Sequence, residues 1–236
     1  MIKPMEAVHI CFDFDGTLAD SFEGIYWAFC ESAHQHKLNL PQKSELRRII
    51  GPPVEKLFDQ IYGASKEYLR ESFRIDFRKH YDQEGYRQTS WYDGAEEQIV
   101  KLRDAGATLS IVTNKPTRPT TKLVEKKKLS KEFELIIGID YLVNNKSKQK
   151  FSSKKEALDL LKISIGHVKI KNLIYVGDTP GDLQAAHASQ FVFVACTYGY
   201  HDWSQETKHD RIHLLDNINN LHHLCSSLVE GDAYGT

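Results

Sequence analysis

The sequence has few cysteines, no long apolar run and no excess of either charge. Its four cysteines stand far apart with no Cys-x-x-Cys pair, which excludes a disulfide framework and a cysteine-based zinc site. Three of them lie inside apolar runs, as expected of reduced thiols packed in a core. Nothing approaches the roughly 18 apolar residues of a membrane span. Basic and acidic residues number 31 and 32, so no surface for nucleic acid or membrane is expected. We therefore expect a soluble, cytoplasmic protein.

Short apolar runs of strand length alternate with helical patterns over most of the chain. Near-continuous apolarity is typical of strands that are buried on both faces. The predicted strands are Val8–Phe14, Ala107–Thr113, Leu173–Val176, Phe191–Cys196 and the less regular Phe133–Ile139. The predicted helices are Ala95–Ala105, Thr117–Lys128, Ser153–Lys162 and Gly181–Ser189. This alternation predicts an α/β fold with a Rossmann-like parallel sheet.

The interval from Ser21 to about Ser90 has helical periodicity and no convincing strand. It separates the first predicted strand from all the others. The simplest organisation is an α/β core domain formed by residues 1–20 and 91–236, with an all-helical cap domain, residues 21–90, inserted into it.

Two carboxylates close the first predicted strand. Asp13 and Asp15 are two residues apart, so both point to one face at the carboxyl end of the strand, where open α/β sheets bind ligands. Adjacent buried carboxylates repel unless they share a cation or a proton. Gly16 then permits a sharp turn and leaves backbone amides available to an anion. Taken alone, this pattern is also compatible with an acidic turn after a strand.

Two further strands end in polar side chains. Asp178 ends an apolar run, and Asp182 follows where a helix begins, so Asp182 could equally be a helix N-cap. Four carboxylates converging on one sheet edge favour a hard divalent cation, and Mg²⁺ is the natural choice. After the Ala107–Thr113 run, Thr113 and Asn114 could hold a phosphoryl oxygen, although the pair is also common in plain turns.

The ordered set of motifs resembles the haloacid dehalogenase superfamily of phosphohydrolases. It comprises Asp-x-Asp-Gly-Thr from Asp13, Thr113-Asn114, a lysine, and Gly-Asp-x-x-x-Asp ending at Asp182. The chain resembles the phosphoglycolate phosphatase-like branch, in which a helical cap is inserted just after the first motif. The resemblance runs from about Val8 to Cys196.

The resemblance implies a role for each matched residue. Asp13 would be the nucleophile, and Asp15 would protonate the leaving alcohol and then activate water. Thr113 would hold the phosphoryl group. Mg²⁺ would be bound by Asp13, Asp178 and the backbone carbonyl of Asp15, with Asp182 supporting the metal site. A carboxylate at Asp15 disfavours dehalogenation, because a departing halide needs no proton.

The lysine departs from the family pattern, which often has a Lys-Pro pair before the last motif. Lys154 is favoured because Ala157, Leu158 and Leu161 follow it at helical spacing. These apolar residues would pack the helix on the sheet, with Lys154 at the opening of the site. Lys150 is the alternative. Any single lysine in this run could also be a solvated loop charge.

These features predict a Mg²⁺-dependent phosphatase for a small phosphorylated metabolite, such as phosphoglycolate, a sugar phosphate or a nucleotide. The protein would act as a monomer or homodimer. A phosphomutase of the β-phosphoglucomutase kind is the enzymatic alternative. A catalytically idle member that binds a phosphorylated ligand or a protein is the alternative from another class, although intact Asp13 and Asp15 argue against it.

Overall fold

The chain divides into two compact units in a computed structural model that describes residues 5–141, 151–166, 172–205 and 212–231. One unit consists of Met1–Leu18 with Trp91–Thr236, and the other of Ala19–Ser90. The first is an α/β unit and the second is helical, so a helical segment is inserted into an α/β chain. No helix in the described ranges has the length and apolarity needed to span a bilayer.

A parallel sheet of six strands forms the centre of the α/β unit, with strand order β5-β4-β1-β6-β7-β8. Its strands are β1 (His9–Phe12), β4 (Thr108–Thr113), β5 (Phe133–Gly138), β6 (Leu173–Gly177), β7 (Val192–Cys196) and β8 (Ile212–Leu215). A separate two-stranded sheet pairs β2 (Ala19–Asp20) with β3 (Ser90–Trp91). Phe12 is paired with both Ile111 of β4 and Val176 of β6. The carboxyl ends of these three central strands therefore lie side by side.

Helices in the α/β unit follow the strands and supply the apolar faces that bury the sheet. They are α5 (Ala95–Asp104), α6 (Thr117–Lys126), α7 (Lys154–Ile165), α8 (Pro180–Ala188) and α9 (Leu221–Gly231). Alternate residues of the strands, including Cys11, Val112 and Tyr175, form one core cluster with the buried faces of α7 and α8. Tyr175 lies fully within this cluster, and its hydroxyl donates a hydrogen bond of 2.9 Å to the carbonyl oxygen of Val112. The buried phenol is thereby satisfied.

The helical unit contains α1 (Phe22–Gln35), α2 (Lys43–Ile49), α3 (Val54–Tyr62) and α4 (Arg70–Gln83). Its core consists of aromatic rings: Phe73 lies 4.8 Å from Phe29 and 4.9 Å from Phe58 between ring centroids. Helix α1 also packs closely on the turn that follows α4. A Cβ on Gly24 would lie only 1.9 Å from the carbonyl oxygen of Gly85, so this approach requires glycine.

The predicted α/β fold with an inserted helical segment is confirmed, and the observed elements differ from the predicted ones in detail. Each of the five predicted strands, the less regular one included, overlaps an observed strand. Strand β8 was not predicted, because Ile212–Leu215 is short and contains a histidine. Helix α7 extends past Lys162 to Ile165, where Gly166 ends it in a left-handed conformation with φ of +43°.

Candidate active site

Asp13 leaves the central strand β1 and is nearly fully buried. Its amide donates to the carbonyl oxygen of Val176 at 2.8 Å, which extends the sheet pairing to this residue. Its carboxylate accepts hydrogen bonds from the Phe14 amide at 2.8 Å, from Lys154 and from the Thr113 hydroxyl. Burial raises the pKa of Asp13 to about 6, although Lys154 acts in the opposite direction.

Lys154 is a buried ammonium group at the first turn of α7. Its Nζ lies 2.9 Å from Oδ2 of Asp13 and also pairs with Oδ1 of Asp182. Burial alone would lower the pKa of Lys154, but Asp13 and Asp182 together raise it above its ordinary value. The same helix buries Ala157, Leu158 and Leu161, which matches the predicted register. The alternative, Lys150, lies outside the described residues.

Asp178 follows strand β6 and is fully buried beside Asp13 and Asp182. Each of the three carboxylates has an oxygen within 4.8 Å of the others. The pKa of Asp178 is raised well above its usual range, first by burial and then by repulsion from Asp182 and Asp13. Since Lys154 supplies one positive charge to three buried carboxylates, a further cation is needed for all three to be ionised. This donor set fits a hard divalent cation such as Mg²⁺.

Asp182 is not the N-cap of α8, which is Thr179, but the third helical residue of a capping box. It caps α8 together with Thr179: its Oδ2 accepts from the Thr179 amide at 3.0 Å and from the Thr179 hydroxyl at 2.7 Å. Its Oδ1 pairs with Lys154 and accepts from the Tyr175 hydroxyl at 3.3 Å. Donors thus hold both carboxylate oxygens of Asp182.

Asp15 lies at the same sheet edge but does not belong to the cluster around Lys154. Its carboxylate pairs with Lys115, the second residue after β4, with Nζ at 2.9 Å from Oδ1 and 3.2 Å from Oδ2. Lys115 was not predicted as a site residue. The available signal was its position directly after Thr113 and Asn114, at the end of a strand adjacent to β1.

The remaining predicted phosphate-binding residues lie at the ends of β1 and β4. Thr113 is buried, and its Oγ1 accepts from the Lys115 amide at 3.2 Å. Asn114 follows it and is partly buried. Gly16 has φ of +81°, and a Cβ there would lie 2.1 Å from Oδ2 of Asp178. Glycine is therefore required both by the backbone conformation and by the close approach to the carboxylate.

The segment after β7 holds Asp178 in place. The Tyr200 amide donates to Oδ2 of Asp178 at 2.8 Å, and the Trp203 indole donates to its carbonyl oxygen at 3.1 Å. A Cβ on Gly199 would lie 2.3 Å from Cβ of Asp178. Local sequence does not reveal these contacts, because donors from a loop after one strand satisfy a carboxylate at the end of another.

Comparison with known proteins identifies the family of this chain. A family model described as haloacid dehalogenase-like hydrolase matches residues 10–196. The chain belongs to the haloacid dehalogenase-like hydrolases. A phosphoglycolate phosphatase from Nitrosococcus oceani is 29% identical to this hydrolase over 209 residues, covering 85% of this chain and 87% of the relative. The predicted resemblance to the phosphoglycolate phosphatase-like branch is confirmed.

Two further proteins are similar to this haloacid dehalogenase-like hydrolase over most of its length. The crystal structure of a predicted phosphatase from Clostridium acetobutylicum superimposes with a TM-score of 0.81 at 26% identity, covering 92% of this chain and 96% of that one. The tyrosine-protein kinase PtkA of Mycobacterium tuberculosis is 28% identical over 203 residues, which cover 84% of this chain. The match spans 65% of the length of the mycobacterial protein.

Proposed function

We propose that this protein is a Mg²⁺-dependent phosphatase that hydrolyses a small phosphate monoester through an aspartyl-phosphate on Asp13. The observation that carries the proposal is the buried group formed by Asp13, Asp178 and Asp182 around Lys154 at the carboxyl ends of the central strands. Burying this much charge without a function would only destabilise the fold. The likeness to a phosphoglycolate phosphatase supports the same reaction class.

In the first half-reaction, a carboxylate oxygen of Asp13 attacks phosphorus. The bond between this oxygen and phosphorus forms while the ester bond from phosphorus to the substrate oxygen breaks. Asp15 donates its proton to the departing oxygen, which leaves as an alcohol. Lys154 lies within hydrogen-bond distance of Asp13 and would neutralise charge on the transferring group, and the Thr113 hydroxyl would bind one of its oxygens.

In the second half-reaction, a water molecule attacks the phosphorus of the aspartyl-phosphate. Asp15, now ionised, accepts the proton of this water. The bond from phosphorus to Asp13 breaks, which releases inorganic phosphate and restores the Asp13 carboxylate. One carboxyl group thus serves as acid and then as base, so the proton balance closes over the cycle.

The metal site would be formed by Asp13, Asp178 and the carbonyl group of Asp15, with Asp182 as support. When bound, Mg²⁺ supplies positive charge that offsets the buried carboxylates and the phosphoryl oxygens. Gly16 leaves room for the Asp178 carboxylate, and the Tyr200 amide and Trp203 indole orient Asp178. These residues would keep a ligand oxygen in position before substrate arrives.

The helical unit, residues 19–90, would act as a cap that selects the substrate. The substrate class that we propose is a small phosphorylated metabolite such as phosphoglycolate, a sugar phosphate or a nucleotide. The name of the Nitrosococcus relative favours testing phosphoglycolate first. The enzyme is expected to act in the cytoplasm, as a monomer or homodimer.

The proposal is tested by measuring phosphate release from a panel of phosphate monoesters with and without Mg²⁺. We expect Mg²⁺-dependent turnover by the wild-type protein and a loss of at least roughly a thousandfold in Asp13→Asn. Asp104→Asn, a matched change at an exposed position of α5, should retain full activity. Mg²⁺ should also raise the thermal unfolding midpoint of the wild-type protein and not that of Asp178→Asn. Full turnover of p-nitrophenyl phosphate by Asp13→Asn would refute the mechanism.

A further inference from the structure

Lys115 is a buried lysine that pairs with Asp15. Its side chain is only 2% exposed, and its Nζ lies 2.9 Å from Oδ1 and 3.2 Å from Oδ2 of Asp15. Lysine is seldom buried without a specific partner, because removing an ammonium group from water is costly. Among the residues that the structure describes, Lys115 is the only ion-pair partner of Asp15.

The backbone around Lys115 is held at several points. Its amide donates to Oγ1 of Thr113 at 3.2 Å, and its carbonyl oxygen accepts from the Ile139 amide at 3.3 Å. A Cβ on Gly138 would lie 2.5 Å from that carbonyl oxygen, so the next strand approaches closely. The Nζ also lies 5.7 Å from the centre of the Phe14 ring. The ammonium group is therefore presented to Asp15 from a fixed position.

Lys115 and Lys154 pair with different carboxylates of the site. Lys154 pairs with Asp13 and Asp182, while Lys115 pairs with Asp15. Contact with both oxygens, at 2.9 and 3.2 Å, places Nζ close to the end of the Asp15 carboxyl group and so fixes the direction in which this side chain points. The orientation of Asp15 is thus set from β4, independently of the lysine that faces Asp13.

We propose that Lys115 is a positioning residue that holds the Asp15 carboxylate in the orientation from which it transfers protons. This inference rests on the proposed function, in which Asp15 gives its proton to the leaving oxygen and takes one from water. Lys115 acts through Asp15 and does not bind the phosphoryl group. Its removal should therefore impair turnover only while Asp15 is able to transfer protons.

A double-mutant cycle in the full chain, with Mg²⁺ and a monoester hydrolysed by the wild type, tests this inference. Asp15→Asn should lower kcat roughly a hundredfold or more. Lys115→Met should lower kcat roughly tenfold and leave KM within about twofold, since ground-state binding does not involve it. The double variant should match Asp15→Asn within about twofold, because the loss from Lys115→Met disappears when its target is gone. Lys126→Met, an exposed lysine of α6, should change neither constant.

Losses that multiply in the double variant, or a large rise in KM for Lys115→Met, would overturn the inference and indicate direct contact with substrate. Thermal unfolding shows whether Lys115→Met folds. If it does not, the same cycle is run with Lys115→Gln, which keeps a donor and loses the charge. A loss with Lys115→Gln that vanishes beside Asp15→Asn supports the inference, whereas equal losses in both backgrounds, or none, overturn it. Activity retained by Asp13→Asn would refute the proposed function itself. If Asp13→Asn is inactive but the kcat losses of Lys115→Met and Asp15→Asn multiply in the double variant, only the role of Lys115 is refuted.

Discussion

A buried titratable group lies at each end of strand β1, and only the one at the carboxyl end has hydrogen-bond and charged partners among the described residues. His9, at the amino end, is fully buried, and within the described ranges neither of its ring nitrogens has a hydrogen-bond partner. Asp13, just beyond the carboxyl end, is held by Lys154, Thr113 and the Phe14 amide. Burial lowers the pKa of His9 to about 4 and raises that of Asp13 to about 6. Both shifts favour the neutral form.

The contrast shows at which end of β1 the fold buries charged groups. At the amino end, the imidazole stays neutral at physiological pH, so no counter-charge is needed there. At the carboxyl end, burial raises the pKa of Asp13 and the buried Lys154 lowers it, so Lys154 favours the ionised carboxylate. A buried counter-charge is present only at the carboxyl end of β1. Ionised groups that are kept buried in this way are typical of functional sites, so this end is the candidate site.

The largest effect is expected from removing the counter-charge, which would leave Asp13 buried without the ammonium group that it pairs with. Lys154→Met keeps most of the apolar volume but leaves Asp13 and Asp182 buried without their shared ammonium group. Breaking a buried pair in this way costs about 3–5 kcal/mol of unfolding free energy. Phosphate release should also fall by at least roughly a hundredfold. Denaturant unfolding at pH 8 and steady-state kinetics measure the two losses.

Lys155→Met is the matched control, one residue further along α7. Lys155 pairs with Asp159 on the surface and is about half exposed, so its replacement should change stability by less than about 0.5 kcal/mol. Equal losses in the two variants would show that the buried pair at Lys154 has no special importance.

Local sequence reasoning was sufficient for the parts of the site that lie on single elements. An apolar run that ends in a carboxylate predicts a buried strand with a carboxylate at its carboxyl end, as at Asp13 and Asp178. The spacing of Ala157, Leu158 and Leu161 after Lys154 identified which face of α7 is buried. These predictions depend only on the periodicity of one strand or one helix.

Contacts between distant elements could not be predicted in this way. Lys115 and Asp15 are a hundred residues apart, and a lysine after a strand is usually a surface charge. The donors from Tyr200 and Trp203 reach Asp178 only because β7 lies beside β6. Both aromatic residues are buried although they lie in a loop, which the composition of that loop does not reveal. Strand order, which no local pattern reveals, decides each of these contacts.

At the amino end of β1, the contribution of His9 to the free energy of unfolding should depend on pH. His9 has a pKa of about 4 in the folded protein against 6.5 for an ordinary histidine, so the unfolded chain binds more protons between these values. Stability is therefore lost as pH falls from 6.5 to 4, by about 3 kcal/mol in all. His9→Leu should remove this component. Unfolding free energies measured across this range give the difference in slope between wild type and variant.

Exposed His187 on α8 provides the control for that experiment. His187→Gln should leave the dependence of stability on pH as it is in the wild type. A His9→Leu variant whose stability falls as steeply as that of the wild type would show that His9 becomes protonated within the folded protein at little cost.

The smallest effect is expected at Asp13 itself, in protein stripped of divalent metal with EDTA. The pKa of Asp13 is about 6 in the folded state and 3.8 in an ordinary carboxyl group, so the folded state binds more protons between these values. Its ionisation therefore costs stability as pH rises from 3.8 to 6. Asp13→Asn removes that cost but leaves Lys154 with Asp182 alone, so we expect a net gain of about 1–2 kcal/mol at pH 8. The gain should vanish near pH 4 and shrink when Mg²⁺ is added. A variant less stable than wild type at pH 8 would contradict this prediction. It would mean that the ion pair with Lys154 stabilises the folded protein by more than the burial of the Asp13 carboxylate destabilises it.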